Sequence, residues 1–387
     1  MIRGVTTLLA VTVALLILTG VPQSMAQTTL GDVTIQGPQS CGSRGFDGGM
    51  TCTAATVVNC SGDDPLQFVY GVENPTGASG TIVLFSGGGG GTASDVASLP
   101  YEISHYVAAG YQVIQVAWGP GTSGDGIDWE FTNSSNGTGT NILTAACRPA
   151  TFLNWVRNGG HYAGALWTSG GMCAQGLSAG GGGIAYALAW YNAASFLDKA
   201  LFQSGPTLSD IRQGCQVPNR DYTTICSGSG QAGCVGWQIQ DPPGYSLEFV
   251  GHYKSHVNAW SGNPTPSCAN NSSPTNYDAS WYAMSVVNFP TTGQQPLFNY
   301  PRTAMSAWLC ETTAPGVPPN NSAAQGQIFY QQFTSLTQAG NSLSVNAVTL
   351  CPTDEGADQG TVASTGDVGY VDITNDMTDR VKGCKVR

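Results

Sequence analysis

Short apolar runs that stop at glycine, followed by stretches with helical spacing, dominate the first half of the chain. Thr81-Ile82-Val83-Leu84-Phe85 ends at Ser86 and the run Gly87 to Gly91, after which Ala93 to Ala109 can form a helix. Tyr111 to Trp118 ends at Gly119-Pro120-Gly121. Helical spacing returns over Ile142 to Asn158, with Leu143, Ala146, Phe152 and Trp155 as core positions. Gly171 to Gln175 leads into another glycine turn, and an Ala-rich helix over Gly181 to Ala194 follows, with Ile184, Leu188 and Tyr191 on one face. Asp198 to Ser204 closes at Gly205-Pro206. Apolar runs this short and unalternating read as strands buried on both faces, and such strands alternating with helices belong to a parallel sheet. The predicted class is α/β: a mostly parallel central sheet with helices on both faces.

Both ends of this rhythm differ from its middle. Gln27 to about Pro75 reads as short strands and turns, with Thr51 to Val58 and Leu66 to Val72 rich in β-formers. Thr207 to about Tyr300 carries Cys215, Cys226, Cys234 and Cys268 among many Pro, Gly and Asn, and its periodicity is weak. It reads as a disulfide-rich cap inserted into the core; a separate small domain is the alternative. Strand, helix and strand then resume at Thr303 to Leu309, Ala323 to Ala339 and Ser342 to Leu350, with a final helix from about Tyr370 to Val381. The expected organisation is a leader over 1–26, the core over 27–206 and 301–387, and the cap over 207–300.

The leader follows from order of composition. Arg3 precedes the apolar run Val5 to Leu18, and Ser24-Met25-Ala26 supplies a small-x-small cleavage site, the pattern of a secretory signal peptide. A retained anchor is the rival, although the run is near the short end for a span. No later stretch reaches the ~20 apolar residues of a membrane helix, so the mature chain is expected to be secreted, extracellular or periplasmic, with no membrane span. All 12 cysteines lie after the leader. An even number in an oxidising compartment reads as disulfides, and no Cys-x-x-Cys or Cys/His cluster suggests a metal site.

Charged residues make up only 10% of the chain, against about 25% in ordinary soluble domains, and the formal net charge is −11. Such a surface repels nucleic acid, whose phosphates need clustered Lys and Arg. Neutral substrates and an acidic external medium are compatible with it.

The chemistry concentrates in Gly176-Leu177-Ser178-Ala179-Gly180. Apolar residues precede it and an Ala-rich helix follows, so Ser178 falls on a strand-to-helix turn, where small neighbours are needed to avoid clashes. A helix start beside Ser178 offers backbone N–H groups and partial positive charge to a developing oxyanion, Ala179 first among them. Gly88 and Gly89, in the loop at the end of the third strand or so, can supply further N–H groups without side-chain obstruction. A phosphate-cradling reading of that loop fails because no Gly-Lys-Ser/Thr follows. The bland reading of either motif is a glycine-rich turn.

With these two motifs the chain resembles the α/β-hydrolase superfamily, and within it secreted esterases and lipases, over Thr81 to Leu350. The resemblance implies acyl transfer through Ser178, an acyl-enzyme hydrolysed by water, and no cofactor. It also implies an acid and then a histidine downstream of the serine, the histidine in a loop after the last strand. Here that loop, Cys351 to Gln359, has no histidine, and none occurs after His256. Some lipases carry the acid where Asp210 stands, although Asp210 also neighbours Arg212 and an ion pair serves equally. Glu311 is the other position for the acid. His252 and His256, one helical turn apart in the cap, are the candidates for the base, with no Glu between them to make a zinc motif. His161 precedes the strand that leads into the Gly176–Gly180 elbow, and His105 reads as a surface or packing residue. Glu355 and Asp358 occupy the usual histidine loop, but a carboxylate with a pKa near ~4 is a poor base for a serine hydroxyl at neutral pH.

Three functions compete. The first is a secreted carboxylic-ester hydrolase acting on a small-molecule or polymeric ester. The second is a catalytically inactive hydrolase fold that binds a ligand through the same pocket, and the third is a peptidase. Cap aromatics (Trp237, Tyr253, Trp260, Trp281, Tyr282) can line an apolar or carbohydrate-binding cleft, or form core. Oligomeric state is not legible in the sequence.

Overall fold

The structure is a computed structural model that describes residues 29–61, 63–74, 76–87, 90–93, 99–119, 129, 142–159, 170–207, 209, 285–286, 300–310, 326, 329, 342–348, 369–379, 381 and 383–384. These residues form one nine-stranded sheet. Its strands are β1 (Asp32–Gln39), β2 (Thr51–Val58), β3 (Leu66–Glu73), β4 (Gly80–Phe85), β5 (Tyr111–Trp118), β6 (Gly171–Leu177), β7 (Lys199–Gln203), β8 (Ala304–Cys310) and β9 (Ser342–Val348). The order across the sheet is β1-β2-β3-β5-β4-β6-β7-β8-β9. β1, β2, β3 and β5 pair antiparallel, and from β5 through β4 to β9 every pairing is parallel. The mostly parallel α/β class is therefore present, with an antiparallel flank that the parallel reading of the middle did not cover.

Helices lie on both faces. α1 (Leu99–Ala108) and the C-terminal α5 (Gly369–Thr378) pack on one, where Ile103, Tyr106, Ile373 and Met377 meet Ile82, Leu84, Val113, Leu177 and Leu201. The short α2 (Ile142–Ala145), α3 (Cys147–Arg157) and α4 (Ala179–Tyr191) cover the other, against Val83, Phe85, Ile114, Val116, Ala174 and Phe202. Every residue of β4, β5, β6 and β7 is buried, which is why these strands read as continuous apolar runs.

Several boundaries move. The helix expected over Ile142 to Asn158 is two helices, interrupted at Ala146. α4 starts at Ala179, directly after the serine, and is buried all round, so Ile184, Leu188 and Tyr191 do not mark a single core face. It packs on β4, β6 and β7 with α3 beside it, and a helix enclosed on every side has no polar face. Because β1 precedes the strands expected from the sequence, the glycine loop follows the fourth strand and not the third.

Three disulfides close within the described residues: Cys41–Cys52, Cys60–Cys147 and Cys173–Cys384. The last ties β6 to the end of α5's segment. There Lys199 Nζ also meets Asp376 Oδ1 at 2.7 Å, and Trp308 Nε1 donates to Asp376 Oδ2 at 3.0 Å. The leader, nearly all of the expected cap and most of the expected helix Ala323 to Ala339 lie outside the described residues. No helix among the described residues is long and apolar enough to cross a membrane.

Candidate active site

β6 passes into α4 through one residue, Ser178. Its backbone stands at φ 48° and ψ −112°, a combination that side-chain-bearing residues avoid and that costs on the order of 1–3 kcal/mol. Close packing imposes it. A Cβ on Gly176 would lie 2.4 Å from the Gly180 carbonyl carbon and 2.4 Å from the Gly181 nitrogen, so the strand end and the helix start touch backbone to backbone. The Ser178 N–H donates to the Gln203 carbonyl at 2.8 Å, and the Ser178 carbonyl accepts the Gly182 N–H at 3.1 Å. The turn is thus held by β7 on one side and by the first turn of α4 on the other.

That arrangement decides which groups face a reacting carbonyl. Ser178's own N–H is bonded to β7. Ala179 opens α4, where N–H groups have no partner within the helix and the helix dipole adds partial positive charge. Gly180 brings the glycine loop to the same place, because a Cβ there would fall 2.3 Å from the Phe85 carbonyl oxygen and 2.5 Å from that of Ser86. The loop's described part is tied down at several points. Gly90 N–H donates to Gly87 O at 2.9 Å, Trp118 N–H donates to Gly90 O at 2.7 Å, and Ser86 Oγ donates to Thr92 O.

Of the residues expected to form the site, the structure brings together Ser178, Ala179 and the flanks of the glycine loop. Gly88, Gly89, Asp210, His252 and His256 lie outside the described residues, as do His161, Glu311, Glu355 and Asp358. His105 is described. It sits half-buried in the last turn of α1, where its carbonyl accepts the Ala109 N–H just before β5 begins. That is the N-terminal edge of the parallel strands, the opposite end from Ser178.

Two features were not singled out from sequence. Arg44, 5% exposed, donates from Nη1 to Gly119 O at 2.8 Å while its carbonyl accepts Ala93 N–H at 2.6 Å, so it joins the end of the glycine loop to the end of β5. Glu102 on α1 meets Gln175 of β6 and Gln203 of β7 beneath the elbow. Glutamines inside otherwise apolar strands were the one visible signal for this second group.

Parallel β5 to β9, the single-residue passage from β6 to α4 and the glycine loop lying against it define an α/β-hydrolase-like fold. No protein-family model and no curated protein matches the chain. Among solved structures it is similar to "Bacterial Heroin Esterase", with a TM-score of 0.46 at 14% identity over 85% of this chain and 83% of that one. Brefeldin A esterase, a bacterial protein, aligns with a TM-score of 0.46 at 16% identity over 91% of this chain and 80% of that one. A hyperthermophilic esterase from the archaeon Pyrobaculum calidifontis gives 0.45 at 12% identity over 88% and 85%.

Proposed function

We propose that this chain is a secreted serine carboxylic-ester hydrolase working through an acyl-enzyme on Ser178, with a small-molecule or polymeric ester as substrate and no cofactor. The observation that carries the reading is the strained turn at Ser178, held between Gly176 and Gly180 at the start of a helix. Strain of this kind clusters at active sites, where it preorganises a reacting group. In the proposed reaction Ser178 Oγ attacks the ester carbonyl carbon, and the carbonyl electron pair moves onto oxygen. Ala179, Gly88 and Gly89 N–H groups receive that oxyanion. The bond to the alcohol oxygen then breaks, and the alcohol leaves with the proton that the base took from Ser178. In the second half the base takes a proton from water as its oxygen attacks the acyl carbon, the acyl–Oγ bond breaks, the proton returns to Ser178 Oγ and the carboxylic acid leaves.

Asp210 is the proposed acid, and His252 or His256 the proposed base. One observation favours a second reading, a hydrolase fold that binds without turnover: Cys351 to Gln359 contains no histidine. Turnover of a short-chain p-nitrophenyl ester separates the two. Ser178→Ala should abolish it. Made separately, His252→Ala, His256→Ala and His161→Ala should show a loss of about 1000-fold at the base, because a triad acts as a unit. Absence of turnover in the wild type between about pH 4 and 9, a span covering carboxylate and histidine titration, would leave the binding reading in place.

A further inference from the structure

Beneath the elbow, on the α1 face of the sheet, four polar side chains are enclosed in an apolar layer. Glu102 and Tyr106 stand one helical turn apart on α1, and both are fully buried; Gln175 and Gln203 are each 2% exposed. Ile103, Leu177, Leu201 and Trp308 belong to the same layer.

Hydrogen bonds link all four. Gln175 Nε2 donates to Glu102 Oε2 at 2.5 Å and to Gln203 Oε1 at 2.9 Å, and Gln203 Nε2 donates to Glu102 Oε1 at 3.1 Å. Tyr106 Oη donates to Gln175 Oε1 at 2.5 Å. Each carboxylate oxygen thus accepts from a different strand, one from β6 and one from β7.

Those two strands are the ones that hold Ser178. Gln203 pairs in register with Leu177, the residue before the serine, and its carbonyl takes the Ser178 N–H. Gln175 is in the same strand, facing α1 on the same side as Leu177. A carboxylate in an apolar layer is costly unless donors surround it. Aliphatic residues at all of these positions would avoid that cost, yet would remove these side-chain links between the ends of β6 and β7.

We propose that Glu102 is a positioning residue: through Gln175 and Gln203 it clamps the ends of β6 and β7 and so sets where Ser178 stands. The positioning role rests on the serine-hydrolase reading above; the clamp itself does not. Displacing a reacting group by ~1 Å can cost on the order of 100-fold in rate. Removing the clamp should therefore slow acylation of Ser178 by about tenfold or more, while the sheet persists.

The test uses the full chain with two readouts. One is the rate at which a fluorophosphonate acylates Ser178; the other is hydrogen exchange at the Ser178 amide. Glu102→Ala and the shape-preserving Glu102→Gln should each slow labelling about tenfold or more and speed exchange. The exchanged pair Glu102→Gln with Gln175→Glu restores one carboxylate between two amides, and should recover both readouts. Wild-type labelling in the folded single variants would overturn the proposal, as would a double variant no faster than Glu102→Gln, since then only packing matters. Should Glu102→Ala fail to fold, the other two variants decide. If the wild type itself does not label, the hydrolase reading fails and positioning for catalysis fails with it. Exchange then judges the clamp alone: unchanged exchange in Glu102→Gln overturns it, and faster exchange supports it.

Discussion

Among single residues, Ser178 at φ 48° and ψ −112°, Glu102 buried at 0% exposure and Asp63 stand apart from their residue types. Gly-x-Ser-x-Gly was legible because the steric demand of the turn is local: two glycines at fixed offsets reveal it before any tertiary contact is known. Glu102 was not legible. A glutamate in a helix ordinarily faces water, and the donors that Gln175 and Gln203 bring from neighbouring strands help to make its burial tolerable. Asp63 is a further case. Burial raises its pKa to about 6, with the nearby Arg148 opposing the shift. The folded state therefore holds this proton more tightly than the unfolded chain, whose value is 3.8. Its contribution to stability falls as pH rises from about 3.8 to about 6 and is flat above. Asp63→Asn should match the wild type in urea unfolding near pH 3.5 and exceed it at pH 7, two values that bracket the window set by linkage. A wild type that gains on the variant as pH rises would contradict this.

At the scale of elements, β4, β5, β6 and β7 were legible as apolar runs because both their faces are buried. β1 was not, and the reason is physical. It is an edge strand whose residues, Asp32–Gln39, are half-buried or exposed, so it has no continuous apolar run, and a bulge at Ile35 to Gly37, with Gly37 at φ +132°, shifts its pairing with β2. Disulfide partners were equally hidden, since pairing depends on distance in the fold. Cys60–Cys147 joins the loop after β2 to the first residue of α3 across a separation of 87 residues. Closing a loop that long constrains the unfolded chain strongly. Replacing both cysteines with serine should lower unfolding free energy by about 2–5 kcal/mol in denaturant titration. A change within about 0.5 kcal/mol, the scatter of ordinary surface substitutions, would show that the bridge adds nothing to the other contacts of α3.

At the scale of the whole molecule, the parallel strands present their C-terminal ends at one edge, and Ser178, Phe85, Ser86 and Trp118 all stand there. Sites of α/β sheets gather at that edge because the loops that follow the strands converge on it. The order of strands and helices made this edge predictable from sequence. The partners of Ser178 were less so: an acid and a base from distant loops leave no fixed spacing, and the chain's four histidines include none in the loop where the family order expects one. In the proposed function the elbow makes Ser178 a nucleophile. The most direct measurement of that is the intact mass of the folded protein after exposure to a fluorophosphonate, followed by peptide mapping. A single adduct on Ser178 is expected, formed within minutes and lost on prior unfolding. An unmodified mass, or an adduct shared among surface serines and tyrosines, would contradict it.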